Sequence, residues 1–218
     1  MQSLKLAPMK VPEALTPEIV AACALLVPSG LAEFVNRQPS ADSVVNKCTY
    51  NVLRYLETQS GEMILGWEVC VWDKVMVDCI GHAVVRVNNQ LLCVSASRYP
   101  DTRLLFLPDP SLSLDVNDPQ ARMPHKQVAI SNRPEVRRLI EIEAANRRIR
   151  VNYPVSSGSI AVTSEDALLL ERLGAEKRRL ALKITLATND HVSKCFCGSG
   201  KKFRKCHRPD IEFMLTHA

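Results

Sequence analysis

The stretch KCFCGSGKKFRKCH, residues 194 to 207, lies eleven residues from the end of a 218-residue chain. Its fourteen positions hold three cysteines, one histidine, two glycines and five Lys or Arg. A segment this polar and this broken by glycine cannot be held in shape by an apolar core of its own. Cys195 and Cys197 stand at i and i+2, and in an extended segment that spacing puts both sulfurs on one face. Gly198, Ser199 and Gly200 then permit a tight reversal, because glycine takes positive φ at little cost. Cys206 and His207 return as an adjacent pair. Two ligands on each of two arms is the logic of a closed tetrahedral site for Zn²⁺. Three thiolates and a neutral imidazole leave such a ligand set with a charge of about −1. Lys194, Lys201, Lys202, Arg204, Lys205 and Arg208 surround it and offset that charge. Four protein ligands leave no position for water, so the metal is expected to be structural and to supply most of the segment's folding free energy. The competing reading is a disordered basic tail with chance cysteines, and the clustering and the turn chemistry argue against it.

The same residues resemble the SEC-C zinc-binding motif, known from the tail of the bacterial preprotein-translocase motor ATPase. That motif reads Cys-x-Cys, a Gly-Ser-Gly-Lys-Lys turn with an aromatic, then Cys followed by His or Cys. Cys195, Cys197, Cys206 and His207 match its ligands and Phe203 its aromatic. The resemblance implies docking onto a protein or ribosomal partner. It covers about a tenth of the chain and does not specify an activity for the remainder.

The rest of the composition is ordinary for a globular chain, at 46% hydrophobic and 23% charged residues. The formal net charge of +5 is mild but concentrated toward the end, which suits an acidic partner surface. No apolar run reaches the roughly 18 residues that a membrane helix needs. The opening MQSLKLAPMKVPEALTPE has no continuous apolar core and no small-residue cleavage site, so a cytoplasmic location is expected. Five of the eight cysteines, at 23, 48, 70, 79 and 93, are scattered among aliphatic residues, the usual setting of reduced, buried thiols.

Along the chain, Thr16 caps a helix that has Pro17 at its first position and is broken at Pro28-Ser29-Gly30, and LAEFVNR suggests a further short helix. In SVVNKCTYNVLRYLETQSG, Cys48, Val52, Tyr55 and Leu56 share one helical face, and Gly61 lies past the end. The period then changes to two. Three or four antiparallel strands are expected from about 63 to 107, with a hairpin turn at Asn88-Asn89. DPSLSLDVNDPQARMPHK reads as a proline-punctuated loop. Two helices follow, in RPEVRRLIEIEAANRRIRV and TSEDALLLERLGAEKRRLALKITLA, the second capped by Thr163 or Ser164. The arginines of the first invite a nucleic-acid reading. Glu135, Glu141 and Glu143 interleave with them, however, and aromatics are only 5%, so a solvated helix face is the better reading.

Outside the C-terminal cluster, two residues have the chemistry of a catalytic pair. Cys48 lies near the start of its helix, where the dipole favours a thiolate, and His82 follows Gly81 in a strand and can serve as base. NKCTYNV, LGWEV and GHAVVRVNNQLLCVS resemble a bacterial group of the papain-like clan, which includes transglutaminases and small cell-wall peptidases. That resemblance implies an acid or amide on the next strand to orient the histidine. Cys93 or Ser95 stands there instead, and Asp78 substitutes only if a bulge turns it to the same side. The alternative is that Cys48 and His82 are both structural. Trp67 and Trp72 read as packed strand residues and His125 as a loop residue without a role.

The resulting expectation is an α+β protein, a small antiparallel sheet flanked by helices, with a main domain over 1–188 and a zinc knuckle over 189–218. The leading function is a zinc-binding protein whose knuckle recruits it to a partner. The rival is a cysteine-dependent hydrolase or transferase, and the third reading is direct RNA or ribosome binding through the basic cluster.

Overall fold

The computed structural model describes residues 9–97, 101–118, 120–156 and 159–217. The reading of the first residues as free of a leader concerns in part residues 1–8, which lie outside the described residues. By contact density the described chain parts into two units, one of residues 9–71 and 77–128, the other of residues 72–76 and 129–217. The architecture is α+β.

The first unit is a barrel-like sheet. Its elements are α1 (Pro17–Leu26), β1 (Glu33–Arg37), α2 (Cys48–Leu56), β2 (Glu62–Trp72), β3 (Met76–Val87), β4 (Gln90–Cys93), β5 (Arg103–Pro108) and β6 (His125–Ala129). The strands pair in the order β2-β5-β1-β4-β3, and β2 also pairs with β3, so five strands close on themselves while β6 extends the sheet beside β3. β5 runs antiparallel to both β1 and β2, and β4 antiparallel to β3. The exception is β1, which is parallel to β4 through Asn36↔Leu92 and Arg37↔Cys93.

Local chemistry explains most of these elements. Thr16 Oγ1 accepts from the Ile19 amide at 3.5 Å, and Pro17 opens α1. Asn88 and Asn89 both have positive φ, 48° and 64°, as the two-residue turn between β3 and β4 demands. At Gly66 a Cβ would lie 2.3 Å from the Leu107 carbonyl oxygen, so only glycine lets β2 approach β5 there. Val35, Val84, Cys93, Leu104 and Phe106 fill one core cluster. Val52, Ala83, Val85 and Val94 form another, with Cys48, Tyr55 and Leu56 of α2 packed onto it, as the helical spacing predicts.

Two expectations fail here. LAEFVNR is not a helix but contains strand β1, because its alternating exposure, with Val35 and Arg37 inward, finds partners in β4 and β5. The end of the proline-punctuated segment is not loop either: His125–Ala129 pairs beside β3. Both strands depend on neighbours distant in sequence, which local propensity does not encode.

The second unit is mainly helical: α3 (Pro134–Arg150), a two-residue ladder of β7 (Val155–Ser156) with β8 (Ser159–Ile160), α4 (Ser164–Thr188) and α5 (Arg208–Thr216). Val136, Leu139 and Ile142 form the buried stripe of α3. Arg138 of α3 forks onto Glu176 of α4 at 2.7 and 3.0 Å, and Lys177 of α4 pairs with Glu143 of α3. Thr163 caps α4 by accepting from the Asp166 amide at 3.2 Å. Among the described residues no helix is long and apolar enough to cross a membrane.

Candidate metal centre

The segment between α4 and α5 is a knuckle stitched by backbone bonds. Lys194 and Lys202 form a β-bridge, the Cys195 amide donates to the Lys201 carbonyl at 2.7 Å, and the Phe203 amide donates to the Ser193 carbonyl at 2.9 Å. The i, i+2 cysteines do not lie on an extended arm. The Gly198 amide donates back to the Cys195 carbonyl at 3.3 Å, so Cys195 to Gly198 is a turn that aims both sulfurs inward. Gly198 and Gly200 have φ of 76° and 72°, as the reversal requires. A single 3-10 turn, Phe203–Lys205, returns the chain to Cys206, and His207 stands at the N-cap of α5.

This path gathers Cys195, Cys197, Cys206 and His207 so that their ligand atoms all lie within 4.8 Å of one another. Cys197 Sγ is 3.6 Å from Cys206 Sγ, and His207 Nδ1 is 3.2 Å from Cys195 Sγ and 3.3 Å from Cys206 Sγ. Tetrahedral Zn²⁺ with bonds of about 2.3 Å to sulfur and about 2.0 Å to nitrogen needs edges of about 3.8 Å between sulfurs and about 3.5 Å from sulfur to nitrogen. The residues therefore fit a metal ion in donor type, number and separation. Ser199 Oγ lies 3.2 Å from Cys197 Sγ and draws that exposed thiol down to about 6, whereas burial pushes Cys195 up to about 11.

The knuckle also has an apolar underside. Cys195, Phe203, Ile211 of α5 and Leu182 of α4 are buried together, with Leu186, Phe196, Cys206, Met214 and Leu215 packed against them. Phe196 lies 5.2 Å from the His207 ring and 6.0 Å from Phe203. Helix α5 was missed in the sequence reading. Its signal is present in RPDIEFMLT, where a proline in the first turn precedes Ile211, Met214 and Leu215 at helical spacing.

In the barrel unit Cys48 is the first residue of α2, as expected. Burial pushes its thiol up there, outweighing the hydrogen bond from the Ala83 backbone. The ring of His82 is engaged by other groups. Nε2 lies 3.4 Å from Cys93 Sγ, and Nδ1 faces Glu68 Oε2 at 3.6 Å. Arg37 closes the cluster, with Nη2 at 2.8 Å from Glu68 Oε1 and Nη1 at 3.5 Å from Cys93 Sγ. Asp78 is not available to orient His82, because it pairs with His125 at 2.6 Å. Neither Glu68 nor Arg37 was singled out from the sequence. Glu68 is a lone charge inside the apolar run of β2, and that was its signal, whereas Arg37 closes the short polar strand EFVNR and carries no such signal. Trp67 is buried and donates to Asp109 at 2.8 Å, a packed strand residue as expected.

No solved structure matches this chain. The model of the SEC-C motif matches residues 193–209, a span that contains all four residues of the Cys/His cluster. The papain-like resemblance of the preceding part finds no support in these comparisons. The C-terminal segment thus carries a SEC-C motif whose four ligand-type side chains converge on one point.

Proposed function

We propose that this chain is a zinc-binding protein in which Cys195, Cys197, Cys206 and His207 hold one structural Zn²⁺, and that the knuckle so formed docks the protein onto a protein or ribosomal partner. The observation that carries the reading is the convergence of three sulfurs and one imidazole nitrogen inside the SEC-C match. The donor set is soft and its count is four, which selects zinc over magnesium or calcium and leaves no position for a substrate. The rim supports docking. Lys194, Lys201, Lys202, Arg204 and Lys205 are exposed around the site. A cationic collar of this kind suits an acidic surface. Elemental analysis of the purified chain should give about one zinc per molecule, from the single four-ligand set. Stoichiometric zinc in a Cys195→Ser, Cys206→Ser double variant would sink this ligand set. For docking, cross-links from Lys201, Lys202 and Lys205 should converge on one partner and vanish in Cys206→Ser. Cross-links spread evenly over the whole surface would count against docking.

A second reading keeps the main domain as a cysteine-dependent hydrolase or transferase with Cys48 as nucleophile and His82 as base. One observation favours it, the Glu68 carboxylate facing His82 Nδ1 as an orienting acid would. Cys48 in native protein should then alkylate faster at neutral pH than Cys23, Cys70, Cys79 and Cys93, because only it would have an imidazolium beside it. Equal rates would end this reading.

A further inference from the structure

We infer that the buried ring of Arg37, Glu68, His82 and Cys93 is a proton-sensitive latch on the β1–β4 seam of the barrel, and that protonation of His82 loosens this seam and uncovers the Cys93 thiol. The inference is independent of the metal site.

Four strands each contribute one member: Arg37 from β1, Glu68 from β2, His82 from β3 and Cys93 from β4. Phe106 of β5 meets the His82 ring edge-on at 6.5 Å, and Cys48 of α2 packs on the neighbouring core cluster. Glu68 and Arg37 are the charges that act on His82. They already neutralise each other at 2.8 Å, with the Arg37 side chain 4% exposed and Glu68 18%. The neutral ring is consistent in hydrogen bonds. In the tautomer with its proton on Nδ1, that proton faces Glu68 at 3.6 Å, and Nε2, 3.4 Å from Cys93 Sγ, is the side that can accept from the thiol. Arg37 Nη1 reaches both Cys93 Sγ and the Ser95 carbonyl, the latter at 3.1 Å.

A second proton on His82 undoes this in two ways. It puts a buried cation beside an ion pair that has no negative charge to spare. It also turns Nε2 into a donor facing the thiol hydrogen. The displaced thiol hydrogen has only the Ser95 carbonyl, 3.9 Å from the sulfur and already bound by Arg37. Arg37 Nε is already a buried donor without a partner, so the cluster has little slack for a further donor. The strain falls on the β1–β4 register, which is short at two pairs. One of those two pairs is Arg37↔Cys93, two members of the ring. Burial lowers the His82 pKa against the pull of Glu68, so the latch is closed at neutral pH and works on the acid side of the ordinary histidine range.

The test uses the full zinc-loaded chain and a pyridyl disulfide, which stays reactive toward thiols in acid. Labelling of each cysteine is followed by mass spectrometry from about pH 7.5 to about pH 5. Cys93 should label at least about tenfold faster at the acid end, since linkage gives a factor of about ten per pH unit for each proton taken up on opening. Cys23, buried on α1, serves as the control for global unfolding and should not change. The His82→Asn variant should show a flat Cys93 profile. If that variant does not fold, the wild-type ring signals of His82 supply the check: the midpoint of their titration by NMR must coincide with the midpoint of Cys93 exposure. A flat wild-type profile, a rise of Cys23 in step with Cys93, a rise persisting in folded His82→Asn, or non-coincident midpoints would each overturn the latch.

Discussion

The cost of single residues in the knuckle can be separated from packing. Gly198 and Gly200 sit in the left-handed region, and an added Cβ at either would meet nothing within 4 Å. Their replacement by alanine is therefore a pure backbone penalty of about 1 kcal/mol each. With zinc binding coupled to folding of the knuckle as proposed above, that penalty should appear as zinc affinity roughly fivefold weaker per glycine, measured by competition with a chelator. A much larger loss in Gly198→Ala would mean that the turn carries contacts beyond its backbone shape. Cys195, Cys197, Cys206 and His207 were legible in the sequence because spacing along a short turn nearly dictates proximity. The partner of His82 was not. Cys48 and His82 are brought near each other's elements, yet the nearest sulfur to the His82 ring nitrogens is that of Cys93, from the adjacent antiparallel strand. Cross-strand neighbours depend on register, and register is a property of the assembled sheet.

At the scale of elements, capping and turn chemistry were reliable. Thr16, Thr163 and the Asn88-Asn89 pair all do what their residue types favour. Removing the α4 cap by Thr163→Ala should cost about 1 kcal/mol, seen as a shift in the denaturation midpoint without a change in slope. The underside of the knuckle is a heavier contributor. Phe203 is fully buried against Leu182, Cys195 and Ile211. Phe203→Ala should cost about 3–5 kcal/mol and raise amide exchange in α5 as well as in the knuckle, because α5 packs on the same cluster. Normal α5 protection in that variant would show that the helix is held elsewhere. Where elements were misread, the error has one source. β1 and β6 are short and earn their conformation from β5, β4 and β3, so their own residues carry little strand signal.

At the scale of the molecule, the knuckle is joined to its own unit by side-chain packing on α4 and α5. Chelation of zinc should therefore loosen the knuckle, α5 and the last turns of α4 around Leu182 and Leu186, while the barrel unit keeps its exchange protection. Hydrogen exchange with and without chelator reads this directly, and loss of protection in β2 to β5 would contradict it. The sequence by itself determined the Cys/His cluster, the caps, the hairpin turn and the α+β class. The cluster, the caps and the turn depend on residues close together in the chain, where chain geometry leaves few options. Only the tertiary structure decided that β1 would lie parallel to β4, that five strands would close on themselves, and that Arg37, Glu68, His82 and Cys93 would meet in the interior. Those four residues are spread over more than fifty positions of chain. What brings them together is the burial of the apolar faces around them, a free energy shared by the whole barrel and carried by no local stretch.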